Sequence, residues 1–90
     1  MAPRGIALED PVLRPEQSRM ARAALNWSLE EAAEAAGVSR RTVLRFERDH
    51  RDIKPELIQA IRGAFEDAGV RFIDEAGRIG VTTAAKPVRP

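Results

Sequence analysis

Gly37 and Ser39 stand two positions apart in the string Ala33-Glu34-Ala35-Ala36-Gly37-Val38-Ser39-Arg40-Arg41, and that spacing restricts the chain more than any other feature. Glycine enters the left-handed backbone region without a Cβ penalty and so ends a helix. Serine accepts from the unpaired N–H groups of a following helix and so starts one. With only Val38 between them, two helices must meet at a sharp turn, and the residues at their crossing must be small. Ala33 and Ala36 meet that need, and Val38 and Val43 are placed to pin the crossing.

The helix before Gly37 opens with a capping box. Ser28 accepts from the N–H of Glu31, while the Glu31 carboxylate reaches back to the N–H of Ser28. Glu30, Glu31 and Glu34 fall in its first two turns, where the helix dipole favours anions. Leu29, Ala32, Ala33 and Ala36 form its inward face. The next helix runs from Arg40 to about Arg48, with Val43 and Phe46 inward and Leu44 off that stripe. Pro15 opens an earlier helix that reaches about Leu25, with Met20, Ala21, Ala24 and Leu25 as its apolar stripe, and Asn26-Trp27 ends it. Trp27 reads as a core plug over these first two helices. Asp49 to Asp52 form a polar loop, with His50 an exposed loop residue, and Ile53 tucks inward.

A fourth helix opens at Pro55 and closes before Gly69, its core face being Leu57, Ile58, Ile61, Ala64, Phe65 and Ala68. Gly63 interrupts it at a cost of about 1 kcal/mol relative to alanine, which predicts close approach of another element. Beyond Gly69 the period changes. Val70-Arg71-Phe72-Ile73 has strand character, Asp74 to Gly77 reads as a turn, and Arg78 to Val81 returns. An isolated hairpin is marginal in water, so this one must pack on the helices or pair with a second chain. Val70, Phe72, Ile73, Ile79 and Val81 are the candidates for dimerisation.

These elements predict a mainly α fold: a compact four-helix unit over residues 15–69, followed by a short strand or hairpin over 70–81. Residues 1–14, with Pro3, Gly5 and Pro11, read as a flexible N-terminal arm, and 82–90 as a disordered tail. Ninety residues suffice for one small domain. The absence of cysteine excludes disulfides, thiolate metal sites and a thiol nucleophile, and a single histidine makes a zinc site implausible. No apolar run approaches the roughly 18 residues of a membrane span. The first residues lack a signal-peptide core, so the expected location is cytoplasmic. No nucleophile, metal set or phosphate loop accompanies the acidic start of the second helix, so neither catalysis nor a cofactor is expected. Fifteen Lys and Arg oppose 14 Asp and Glu, a net charge of +1 that taken as an average argues against a polyanionic partner.

The run from Trp27 to Arg48 resembles the helix-turn-helix of the phage-repressor-like regulators of the Cro/C1 or XRE type. Ala33, Gly37, Val38, Ser39, Val43 and Glu47 fall where that pattern wants them, and a looser likeness extends over about 15–73. The resemblance implies a lambda-repressor-like DNA-binding domain whose second motif helix lies in the major groove. It assigns base contacts to Ser39, Arg40, Arg41, Leu44 and Arg45, the arginines being suited to guanine O6 and N7 and Leu44 to a thymine methyl. Phosphate contacts fall to Ser28, Thr42, Arg48, Arg51 and Lys54. It also implies a partly buried ion pair between Arg22 and Glu47 that orients the recognition helix.

Two features depart from the pattern. Leu29 stands where many members use a glutamine to hold a phosphate, and the hairpin replaces a usual fifth helix. An arginine-rich helix face is most often only a solvated surface. Here the preceding Ala33, Gly37 and Ser39, and a local net charge of +3 over residues 39–54, turn the balance toward DNA. The expected function is that of a sequence-specific transcriptional regulator, a repressor acting as a homodimer on an inverted repeat of double-stranded DNA. The alternative is a protein-interaction module of the same fold, antitoxin-like or an anti-regulator, with a partner such as a toxin and little DNA binding.

Overall fold

The computed structural model describes residues 13–48 and 52–84. Four helices are followed by a hairpin: α1 Pro15–Leu25, α2 Leu29–Ala36, α3 Arg40–Arg48, α4 Pro55–Asp67, β1 Arg71–Glu75 and β2 Arg78–Thr82. Proline stands at the first position of α1 and of α4, where an N–H would lack an intrahelical partner. Asn26 ends α1 in the left-handed region at φ 59°, and its N–H and that of Trp27 satisfy the carbonyls of Ala23 and Arg22.

The core gathers Ala21 from α1, Ala32 and Ala33 from α2, Val43 and Phe46 from α3, and Ile61 and Phe65 from α4, with Ile53 and Val70 from the connections. Leu29, Ala36, Leu57 and Ile58 pack on it while half-buried, as the periodicity of α2 and α4 predicts. Trp27 packs on the same core, but its ring lies 5.8 Å from that of Phe65, so its partner is α4 rather than the first two helices alone. Leu13 is fully buried in this core. A residue that the sequence reading places in the flexible arm is thus an anchor of the globule. Arg14, also placed in the arm, is the half-buried residue at the start of α1, and Thr82, placed in the tail, belongs to β2; residues 1–12 and 85–90 lie outside the described residues.

Two other expectations are corrected. Of the α1 stripe expected at Met20, Ala21, Ala24 and Leu25, only Ala21 and Leu25 reach the core. Met20 is 38% exposed and Ala24 is exposed, while the polar Gln17 and Ser18 are buried with Ala21. The reason is that α1 packs against polar atoms, as described below. Gly63 is not forced by close approach, because a Cβ built there meets nothing within 4 Å.

The hairpin is antiparallel, with Phe72 opposite Val81, Ile73 opposite Gly80 and Asp74 opposite Ile79. Its turn is two residues, Ala76 and Gly77, shorter than the four expected. Both take positive φ, 53° and 75°, the signature of the type I′ turn whose twist matches that of the strands. Gly77 enters this region without strain, and Ala76 carries the cost of its Cβ. One face of the hairpin lies on the helices. Phe72 packs edge-on to Phe65 at 6.2 Å between ring centroids, and Arg62 covers its other side with its guanidinium 4.9 Å from the ring centre.

The hairpin is also held through its backbone. Gln17 Nε2 donates to the carbonyls of Ile73 and Gly80 at 3.0 and 3.3 Å. Arg14 Nε donates to Asp74 at 2.9 Å. Of the five residues expected to form a dimer surface, Val70 is buried in the chain's own core, and Phe72 and Val81 pack against that core. Their side chains are thus engaged, wholly for Val70 and in part for Phe72 and Val81, within the single chain. Ile73 and Ile79 retain exposed area.

Candidate nucleic-acid interface

The α2–turn–α3 unit is fixed by local bonds at each joint. Ser28 Oγ accepts the N–H of Glu31 at 3.0 Å, and the Ser28 N–H donates to Glu31 Oε1 at 2.8 Å. Gly37 takes φ 72° and ends α2, and the N–H of Val38 returns to the carbonyl of Ala33 at 3.0 Å. Two residues later Ser39 Oγ accepts the N–H of Thr42 at 3.0 Å and meets the Thr42 hydroxyl at 2.8 Å. The Ser39 hydroxyl therefore begins α3 as well as standing at its exposed end.

Helical spacing then divides α3 into two faces. Val43, Phe46 and Glu47 are buried. Arg40, Arg41, Arg45 and Arg48 are exposed, with Leu44 half-buried among them and Thr42 half-buried beside the cap. Ser39, Arg40, Arg41, Leu44 and Arg45 thus share one continuous surface at the N-terminal part of the helix. Arg45 faces the carboxylate of Asp52 at 3.8 Å, a loose contact between two exposed side chains that water screens strongly. Arg48 stands at the C-terminal end of the same surface. Lys54 is exposed immediately before α4, and Ser28 caps α2. The phosphate candidate Arg51 lies outside the described residues, as does His50.

Glu47 is the sole carboxylate of α3, and it turns inward. Arg22 grips it with two prongs: Nη2 to Oε1 at 2.7 Å and Nε to Oε2 at 2.9 Å. Ser18 Oγ donates to Oε2 at 2.6 Å, and Arg19 Nη1 donates to the Glu47 backbone carbonyl at 2.6 Å. Hydrogen bonding to Glu47 pushes the Arg22 guanidinium above its ordinary pKa, against the opposing effect of burial. No buried side-chain N or O atom among the described residues lacks a hydrogen-bond partner. The consequence for the surface is direct. The negative charge of α3 is neutralised inside the fold, and every charged side chain on its outward face is an arginine.

A match over residues 19–66, more than half of the chain, links it to the helix-turn-helix family HTH_3. The chain belongs to the Cro/C1-type helix-turn-helix family. It is a DNA-binding regulatory domain of the XRE class, and the family is not typically enzymatic. No curated protein matches the sequence. Among the described residues, no helix is long and apolar enough to cross a membrane, and no cluster of His, Cys, Asp or Glu is placed to hold a metal ion.

In this helix-turn-helix, Ser18 and Arg19 brace the recognition helix at Glu47 without having been expected there. Hydropathy gives no sign of them; only once the resemblance turns Arg22 inward does helical spacing put Ser18, one turn earlier, on the same side of α1.

Proposed function

We propose that this helix-turn-helix reads a specific operator, acting as a repressor and as a homodimer on an inverted repeat. The observation that carries the reading is the basic outer face of α3, whose single carboxylate is drawn inward by Arg22 and Ser18. Ser39, Arg40, Arg41, Leu44 and Arg45 are the base-reading residues. Arginine offers two parallel donors to guanine O6 and N7, each good pair contributing roughly 1–3 kcal/mol of discrimination. Thr42, Arg48, Arg51 and Lys54 hold phosphates and set the register. Ser28 is the weaker phosphate candidate, because the capping box already engages its N–H and hydroxyl, and Glu30 and Glu31 repel an anion there. Two such units on an inverted repeat place their recognition helices about 34 Å apart. One protomer offers few base contacts, and a symmetric pair doubles them. Repression follows if the occupied operator overlaps the site that transcription needs.

Selection of bound sequences from a random DNA pool tests this reading. A palindromic consensus supports it. Arg40→Ala combined with Arg41→Ala is expected to abolish binding to the selected site with helical circular dichroism unchanged, since both side chains are exposed. Unaltered affinity in that variant overturns the assignment. A stable stoichiometric protein partner, with no DNA shift even in low salt, would establish the interaction-module reading in its place.

A further inference from the structure

We infer that the outer edge of β1 is the homodimer seam, pairing with the same edge of a second copy about a two-fold axis centred on Ile73. This inference rests on the homodimer reading above and adds its surface and register.

A two-residue turn makes Glu75 and Arg78 a hydrogen-bonded pair, and the antiparallel ladder then alternates. Arg71, Ile73 and Glu75 point their N–H and C=O groups toward β2. Phe72 and Asp74 point theirs outward, and no strand among the described residues meets them. The two edges of the hairpin are unequal. α1 packs along β2, where Ile79, Gly80 and Val81 are half-buried, whereas β1 exposes every residue except Phe72.

On the outer face of β1, Arg71, Ile73 and Glu75 complement themselves in one antiparallel register. With Ile73 opposite Ile73 of the second copy, residue 72 faces residue 74 and residue 71 faces residue 75. The outward N–H and C=O groups of Phe72 and Asp74 then meet those of Asp74 and Phe72 in two hydrogen-bonded pairs. The Ile73 pair falls at the non-hydrogen-bonded position, where side chains approach most closely. Among the described residues, Ile73 and Met20 are the exposed large hydrophobic ones. On the same outer face Arg71 lies opposite Glu75 of the second copy, and Glu75 opposite its Arg71. The β2 edge offers no such match, since centring it on Gly80 sets Arg78 opposite Thr82. An open recess lined by Arg62, Glu66, Gly69 and Val70 adjoins the start of β1, where the second copy's turn would arrive.

Sedimentation of the full chain without DNA tests the seam, separately from any DNA reading. The wild type is expected to dimerise. Arg71→Glu alone and Glu75→Arg alone each set two pairs of like charges across the seam, and each is expected to lower the dimerisation constant about tenfold or more. Mixing the two variants restores both opposite-charge pairs, so the mixture is expected to form a heterodimer. Ile73→Asp is expected to give a monomer. Circular dichroism and thermal melting monitor folding, and all three positions are exposed in the single chain. A monomeric wild type, single variants that dimerise as the wild type does, or a mixture that remains monomeric overturns the inference. Arg40→Ala with Arg41→Ala leaves sedimentation unchanged, so loss of DNA reading and loss of the seam are distinguishable.

Discussion

Glu47 shows how one side chain serves both folding and the charge of a surface. It is 6% exposed and takes bonds from Arg22 and Ser18 on its carboxylate and from Arg19 on its backbone carbonyl. Removing one partner of such a buried pair leaves an uncompensated charge, which costs more than the pair itself contributes. Glu47→Ala is expected to lower stability by about 3 kcal/mol in urea unfolding. A loss below about 1 kcal/mol would show that water replaces the carboxylate readily. The Arg22–Glu47 pair is legible in the sequence only through the resemblance, because the two residues are 25 positions apart. Ser18, Arg19 and Gln17 are illegible by hydropathy. A polar residue on a helix reads as solvent-facing, and nothing local distinguishes one whose partner is a distant carboxylate or carbonyl.

At the scale of elements, starts and stops are the most legible feature, because each has a chemical cause in adjacent residues. Pro15, Ser28, Gly37, Ser39 and Pro55 mark their helices where the structure has them. Faces are less legible. The stripe expected on α1 assumed an apolar partner, whereas α1 packs between a carboxylate and the carbonyls of a hairpin. Gly63 illustrates the same limit. A glycine inside a helix implies a neighbour too close for a Cβ, yet none lies within 4 Å. Gly63→Ala is therefore expected to stabilise the fold by about 0.5–1 kcal/mol, through the smaller backbone freedom of the unfolded chain and better helix propensity. The check is a raised midpoint in thermal or urea unfolding. A lowered midpoint would mean that the position meets something beyond the described residues. For the hairpin, the strand period was legible but the docking was not. Alternation alone does not say whether Phe72 and Val81 cover a helix or a second chain.

For the whole molecule, the near-zero net charge misleads because it averages unlike segments. The carboxylates of Glu30 and Glu31 complement the dipole at the first turn of α2, and Glu47 is internal, while the arginines of α3 face outward. Non-specific attraction to DNA is therefore expected to be modest, and the proposed phosphate contacts are few enough to count. With Arg48, Arg51 and Lys54 acting in each protomer of a dimer, about six phosphates are neutralised, and log K is expected to fall with log salt at a slope near −5. Lys54→Gln is expected to reduce that slope by about 1 per protomer while leaving the selected consensus unchanged. An altered consensus would move Lys54 from backbone positioning to base reading. Charge totals hid this surface, whereas the order of residues around Gly37 revealed it.

Gln17 stands one residue before Ser18, and the two fasten α1 to different neighbours: Gln17 to both strands of the hairpin, Ser18 to the recognition helix through Glu47. Arg14 and Arg22 repeat the arrangement a turn to either side. Helix α1 is thereby a strut clamped along its length, with no hinge between its two attachments. A strut of this kind behaves as a gauge block. The distance and tilt between the hairpin and α3 are set when the chain folds, so whatever the hairpin grips, α3 is presented at one fixed offset from it.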